Sequence, residues 1–176
     1  MTVASLNIVL SQLQEALARM HPSQTDRSGR ALLAPFALPE GAVIRGAFEV
    51  RNARGEVRRL QDVVLPLPNP LFRSFCLAAP IDFVRIETPL GRVTLWPPSE
   101  LIELQVGYRW HGFNGKPLRE WDDRFVVFAE EDGDPIALRL DEDNGPVWSA
   151  PRGEGRYEFI ERASSLAAFY EELMDK

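Results

Sequence analysis

The sequence predicts a protein of β-strands joined by hairpin turns, with short helices at its beginning, middle and end. Apolar stretches recur in pairs around turns that contain Gly, Asn or Pro, and helical periodicity is confined to three short segments. The chain has 176 residues, of which 45% are hydrophobic and 26% are charged. This is enough for one domain with a full core, so we predict a single domain over residues 1–176.

Residues 1–30 are predicted to form an amphipathic helix followed by a connector, "HPSQTDRSGR", in which Pro and small polar residues end the helix. Residues 31–90 are rich in strand patterns. The stretches "AVIRGAFEV" and "EVRRLQDVVL" flank the turn "RNARG" and predict a hairpin. A second hairpin is predicted from "DFVRIE" and "RVTLW" around "TPLG". The apolar face of the first helix is Leu6, Val9, Leu10, Leu13, Leu17 and Met20.

Two further helices are predicted in the second half of the chain. In "PPSELIELQVGY", Ser99 is the predicted N-cap behind two prolines, and Leu101, Leu104 and Tyr108 share one face. Near the C-terminus, a short strand "YEFI" leads into a helix that Ser164 or Ser165 caps. The predicted apolar face of this last helix is Leu166, Phe169, Tyr170 and Leu173.

Residues 124–148, "RFVVFAEEDGDPIALRLDEDNGPVW", alternate apolar runs with acidic turns. In "FVVFA" both faces are apolar, which predicts a central strand covered on both sides. In "IALRL", Ile136, Leu138 and Leu140 align on one face while Ala137 and Arg139 take the other. The sheet is therefore predicted to be less buried on the side of Ala137.

Charge and cysteine content exclude several classes of protein. The net charge of -6 argues against a general nucleic-acid binder and favours attraction to basic partners. A single cysteine, Cys76, excludes an intramolecular disulfide and a multi-thiolate zinc site. We expect Cys76 to be a buried small hydrophobe. The N-terminus lacks the pattern of a signal peptide or a membrane span, so we expect a cytoplasmic protein that does not bind membranes.

The acidic turns are the first candidate site. The residues of one turn begin at Glu130 and those of the other at Asp141, so a hairpin would place the two groups at its opposite ends. "DEDNGP" has Gly at the fifth position instead of the sixth, and no glutamate ends the loop, which argues against an EF-hand calcium site. Two interpretations remain open: the turns simply need Asp, Asn and Gly, or they form a charged recognition surface.

Catalytic patterns are absent from the sequence. There is no G-x-S-x-G elbow, no P-loop lysine and no dinucleotide-binding spacing, and Cys76 has no histidine near it in sequence. We therefore predict no catalytic residue, no cofactor and no metal. Core or core-rim packing is the favoured role of the four tryptophans, with an exposed anchor in a binding surface as the alternative. These are Trp96, Trp110, Trp121 and Trp148.

Four motifs, taken in order, resemble the SUKH superfamily, also called SMI1/KNR4, over residues 91–174. They are "GRVTLWPPSELIEL", "RFVVFAEEDGDPIALRL", "GPVW" and "ASSLAAFYEEL". The first half departs from the pattern: "FALPEGAVIRGAFEVRNARGE" contains the Leu-Pro of the family but continues as strands. Residues 31–90 are therefore a divergent or elaborated half of the domain.

The resemblance implies an α+β fold with an antiparallel β-sheet flanked by helices, and a binding role without catalysis. It implies an intracellular immunity-type protein that binds and neutralises a polymorphic toxin. The alternatives are a regulatory or scaffolding interaction module of the same type, or an enzyme of unrecognised class. We expect a protein partner such as a basic toxin domain and no nucleic acid, in either a monomer or a dimer. The candidate partner-binding residues are Asp122, Asp123, Glu130, Glu131, Asp132, Asp134, Asp141, Glu142, Asp143, Trp110, His111 and Phe113.

Overall fold

A computed structural model of the chain describes the second half almost continuously and the first half in part. Cys76 and the "PLPNP" segment lie outside the described residues, as do Trp110, His111, Phe113 and Asp143. The described residues are 8, 12, 15, 33–34, 44–51, 57–65, 79–80, 82–109, 118, 121–139, 141–142, 145–151 and 157–174.

The main sheet has six antiparallel strands in the order β10-β9-β8-β7-β6-β5. With its two helices it gives an α+β fold built on an antiparallel sheet, as predicted. Each strand pairs with its neighbour in sequence, so the sheet is a meander of hairpins and longer connections. The strands are β5 (Val84–Thr88), β6 (Gly91–Leu95), β7 (Phe125–Glu131), β8 (Asp134–Arg139), β9 (Val147–Ser149) and β10 (Ile160–Ala163).

The described part of the first half contains two smaller antiparallel pairs. The predicted hairpin is confirmed: β2 (Ile44–Arg51) pairs with β3 (Val57–Leu65). The other pair joins β1 (Leu33–Ala34) to β4 (Ala79–Pro80). Residues 8, 12 and 15 are helical, in agreement with the helix predicted at the start of the chain.

Helix α1 (Leu101–Arg109) follows a single 3₁₀ turn, Pro98–Glu100. The predicted face is confirmed, because Leu101, Leu104 and Tyr108 are buried. The predicted cap is wrong. Pro97 is the N-cap of the turn and no side chain caps it, because the 3₁₀ turn begins ahead of Ser99 and places that serine inside the helical segment.

Helix α2 (Leu166–Met174) is capped as predicted, since the Ser165 hydroxyl accepts the Ala168 N–H at 3.1 Å. Its predicted apolar face is buried. The strand before it begins later than the sequence pattern indicates. It starts at Ile160 and runs to Ala163, where it pairs with β9. The ladder with β9, not the apolar pattern of "YEFI", sets its position.

Strand β7 is the centre of the core, as predicted, with every residue from Phe125 to Ala129 buried. The predicted exposure beside it is wrong, because Ala137 in β8 is also fully buried. Ala137 pairs with Trp148 of β9 in the ladder. The packing of that aromatic side of the sheet, described below, covers a residue that looks solvent-facing in the sequence pattern.

A β-bulge in β7 determines which residues face each helix. Val127 pairs with Ala137 and Ala129 pairs with Ile136, which leaves Phe128 as an extra residue between them. Phe128 packs edge-to-face on Phe169 of α2. The extra residue shifts the alternation by one position and turns Glu130 toward α1, which is the usual effect of a bulge.

Gln105 of α1 completes the sheet where β6 ends. The last pair between β6 and β7 joins Leu95 to Ala129. Beyond it, the fully buried Gln105 accepts the Val127 N–H at 3.0 Å and donates to the Val127 carbonyl at 2.7 Å. The side-chain amide thus replaces the peptide group of a missing strand and satisfies both backbone groups of a buried residue. This contact fixes α1 against β7.

Candidate functional site

The two acidic groups lie at opposite ends of the β7–β8 hairpin, as the sequence predicts. Glu131 pairs with Asp134 at the turn, and Phe125 pairs with Arg139 at the open end. The ends are about 20 Å apart, from roughly 3.3 Å per residue along a strand of this length. Asp122 precedes Phe125 and therefore belongs to the open end. The structure thus contains two separate charged groups instead of one continuous patch.

The turn end is locked to the neighbouring β5–β6 hairpin through Asp132. Its N–H donates to the Arg92 carbonyl at 3.0 Å, and its carboxylate accepts the Arg92 N–H at 3.1 Å. Asp132 and Gly133 both have positive φ, 49° and 90°, as an Asp-Gly hairpin turn requires. Gly91 has φ 150°, and a Cβ there would lie 2.1 Å from the Asp132 carboxylate. Asp132 therefore has a structural role.

Glu130 forms a half-buried hydrogen-bonded group with two aromatic residues of the α1 side. Its carboxylate accepts the Trp96 indole N–H at 2.8 Å and the Tyr108 hydroxyl at 2.5 Å. The Tyr108 oxygen also lies 2.8 Å from the Gly133 carbonyl, so it connects the helix to the turn. The Glu130 carboxylate therefore serves as the hydrogen-bond acceptor for two side chains of the protein itself, which is the usual role of a partly buried polar group.

Glu131 lies on the opposite side of the sheet and contacts α2 through Arg162. The Arg162 guanidinium is 3.6 Å from Glu131 and 2.6 Å from Glu172, and its side chain is only 15% exposed. Thr88 also donates to Glu131 at 3.4 Å. Arg162, the single basic residue of β10, therefore connects the hairpin turn to α2.

The open end is a chain of exposed ion pairs. Arg124 bonds Asp122 and reaches Asp141, and Arg139 reaches both Asp141 and Glu142 at about 3 Å. The hydrogen bond from Arg124 lowers the pKa of Asp122, and the one from Arg139 lowers the pKa of Asp141. Because these groups face water, each pair contributes little stability by itself.

Asp123 and Asp134 complete the described candidates. Asp123 is exposed and forms an ion pair with Arg109 at the end of α1. Asp134 is half-buried at the start of β8. The remaining candidates, Asp143, Trp110, His111 and Phe113, stay predictions because they lie outside the described residues.

Three of the tryptophans pack on the core, as favoured from the sequence. Trp121 is buried beside Tyr108, Tyr157 and Phe159. Trp96 and Trp148 are partly buried against the same core. Ring contacts continue from Trp121 through Phe159 and Phe125 to Trp148, which is the ladder partner of the buried Ala137.

Several carboxylates that the sequence analysis passed over have no basic partner within the described part of the chain. Glu158 and Glu161 flank the exposed Ile160 beside β10, and the others lie on the two helices and the 3₁₀ turn. These acids differ from the ion-paired acids only in their contacts in the folded structure, so the sequence pattern does not identify them. Among the described residues, the acids without a basic partner include Glu100, Glu103, Glu158, Glu161 and Glu171.

Neither metal ligands nor a membrane-spanning helix among the described residues, nor similarity to a known protein, points to a function. Within the described ranges, no three His, Cys, Asp or Glu side chains are grouped to hold a metal ion. None of the described helices has the length and apolar character needed to cross a membrane. No family model, no curated protein and no solved structure matches the chain.

Proposed function

We propose that this protein is a non-catalytic binding protein that captures a basic protein partner, and specifically an immunity-type protein that neutralises a toxin. The distribution of charge carries the proposal. Residues 82–176 contain 20 of the 26 acidic residues but only 11 of the 20 basic ones. The resemblance of residues 91–174 to the SUKH superfamily supports the same role.

The acidic excess is displayed on a rigid support. Exposed carboxylates without a basic partner among the described residues lie on α1 (Glu103), just before and in β10 (Glu158 and Glu161), and on α2 (Glu171). Toxins that cleave nucleic acid are basic where they hold phosphates. An acidic surface would accelerate capture of such a partner and would exclude acidic ones.

A role without catalysis agrees with what the half-buried carboxylates do. Glu130 and Glu131 are occupied by Trp96, Tyr108, Thr88 and Arg162. A general acid or base has to reach a substrate instead. Ion pairs within the protein also limit the predicted binding surface at the open end of the hairpin. A partner would have to compete with the protein's own arginines for Asp122, Asp141 and Glu142.

Co-expression with the products of neighbouring genes tests the proposal. We expect one of these products to stop growth alone, to be harmless with this protein, and to form a complex that weakens as salt is raised. A partner that is not toxic would favour the regulatory module. If no neighbouring product binds, and capture from native lysate retains no basic protein, the proposal is wrong.

Charge reversal of the candidate residues requires a folding control. Asp132 and Asp141 contact the fold directly, so reversing them perturbs structure as well as charge. Thermal unfolding should therefore accompany each binding measurement. The proposed surface is excluded if charge reversal leaves both partner binding and its salt dependence unchanged. The residues to reverse together are Asp132, Asp134, Asp141, Glu142 and Asp143.

A further inference from the structure

Strand β10 is one edge of the six-stranded sheet. It pairs with β9 on one side, and no described strand pairs with its other side. Ile160 at its start is 52% exposed, and Glu158 and Glu161 on either side of it are exposed as well. An unpaired edge presents backbone N–H and C=O groups that another extended segment can bind.

Among the described residues of this edge, the exposed charges are negative. Glu158 and Glu161 have no basic partner among the described residues. Arg162, the next residue, is directed to Glu131 and Glu172 and is largely buried. The strand therefore directs its positive charge inward and its negative charges outward.

The opposite edge, β5, differs in charge. It carries the exposed Arg85, and its acid, Glu87, bonds Arg92 on the adjacent strand at 2.7 Å. A basic segment that paired with β5 would be repelled by Arg85, and Glu87 already forms an ion pair with Arg92. Electrostatics therefore distinguishes the two edges and favours β10 for a basic partner.

We propose that β10 docks an extended basic segment of a partner protein, which adds to the sheet as a seventh strand. Because side chains alternate along a strand, a Lys or Arg of that segment would oppose Glu161 and an apolar residue would lie beside Ile160, while Glu158, just before β10, would attract a basic residue at the end of the segment. A second copy of this chain fits poorly, because opposed glutamates repel across strands. The inference rests on the proposed function in that it places the basic partner's contact at β10.

A synthetic peptide tests the site without the natural partner. The probe is a blocked, fluorescein-labelled nonapeptide of alternating Lys and Val. The controls are the same peptide with Glu in place of Lys, and two versions N-methylated at alternate residues, one for each edge of the peptide. N-methylation keeps the charge but removes the donors that a strand needs. Fluorescence anisotropy gives affinity, and hydrogen exchange gives the location.

We expect the Lys-Val peptide to bind and to protect the amides of residues 158–163, and at least one N-methylated peptide to lose affinity. The double variant Glu158→Lys with Glu161→Lys should weaken binding about tenfold, because the pair at Glu161 becomes repulsive and the attraction of Glu158, just before the strand, is reversed. The matched control, Glu103→Lys with Glu171→Lys, makes the same change of charge on the two helices and should alter affinity much less.

Equal losses in both double variants, or no effect of either N-methylated peptide, would show attraction to overall charge and would overturn the assignment. Sedimentation velocity tests whether the edge binds a second copy of the chain. A wild-type dimer that becomes a monomer in the variant Glu158→Lys with Glu161→Lys would assign the edge to a second copy and would also overturn the proposal. A toxin that is neutralised equally well by that variant would refute β10 as the docking edge while leaving the proposed function standing.

Discussion

The two ends of the β7–β8 hairpin have similar sequences and different physical roles. Both are rich in Asp and Glu beside a Gly. At the turn, Glu130 bonds Trp96 and Tyr108 in a half-buried setting, and the exposed Asp132 bonds the Arg92 backbone. At the open end, the carboxylates bond the side chains of Arg124, which is exposed, and Arg139, which is partly buried. Acidic composition therefore does not decide whether a turn supports the fold or faces a partner.

The energetic consequence follows from solvation. A donor that loses its acceptor inside the protein keeps the desolvation cost, whereas an exposed arginine that loses its carboxylate is rehydrated. We therefore expect substitutions at the turn end to affect stability strongly and those at the open end to affect it weakly. The following substitutions measure that difference.

Glu130→Ala should have the largest effect. It removes the acceptor of the Trp96 indole and leaves the Tyr108 hydroxyl only the Gly133 carbonyl, and we expect a loss of about 3 kcal/mol in the free energy of unfolding. Urea denaturation measures this. Glu130→Gln is the control, because it keeps one acceptor and should cost less. Equal losses from Ala and Gln would show that the hydrogen bonds contribute nothing.

Gly91→Ala should follow, with a loss of about 2 kcal/mol from an unfavourable φ and contact with Asp132. Gly107→Ala is the matched control. Gly107 lies in α1 with nothing within 4 Å of an added Cβ, so alanine should stabilise by about 0.5–1 kcal/mol. Thermal unfolding of the two variants should therefore shift in opposite directions. A shift of the same sign would contradict the close approach of the two hairpin tips.

Asp141→Asn should have a smaller effect than either, because Arg124 is exposed and the partly buried Arg139 keeps its ion pair with Glu142. We expect the loss to decrease further as salt is added, since exposed charges are screened. Denaturation at low and at high ionic strength measures this. A loss as large as that of Glu130→Ala would remove the distinction between the two ends.

Acid titration should show the smallest difference. The pKa values of Asp122 and Asp141 are lowered in the folded state by hydrogen bonds from Arg124 and Arg139. Their contribution to stability is complete above the ordinary aspartate pKa of about 4 and is lost as the pH falls through the lowered folded values. In Asp122→Asn with Asp141→Asn, the decrease of stability below about pH 4 should be shallower. An identical pH profile would show that these pairs do not stabilise the fold.

The sequence alone determined most of the strands and both described helices of the second half. Hairpins follow from apolar runs around turn residues, and this local information predicts β2–β3, β5–β6 and β7–β8. It also determined the faces of α1 and α2, because helical periodicity is a local property.

Only the tertiary structure decided which acids are free. The bulge at Phe128 sets the direction of Glu130, and a bulge has no periodic signal. Neighbours distant in sequence, such as Arg162 for Glu131 and Arg92 for Asp132, engage charges that look available in the sequence. The burial of Ala137 likewise depends on aromatic rings brought together from different elements. Among the described residues, the carboxylates without a basic partner, Glu158 and Glu161 included, are distinguished from the others only by long-range contacts, because solvation and pairing depend on the folded arrangement.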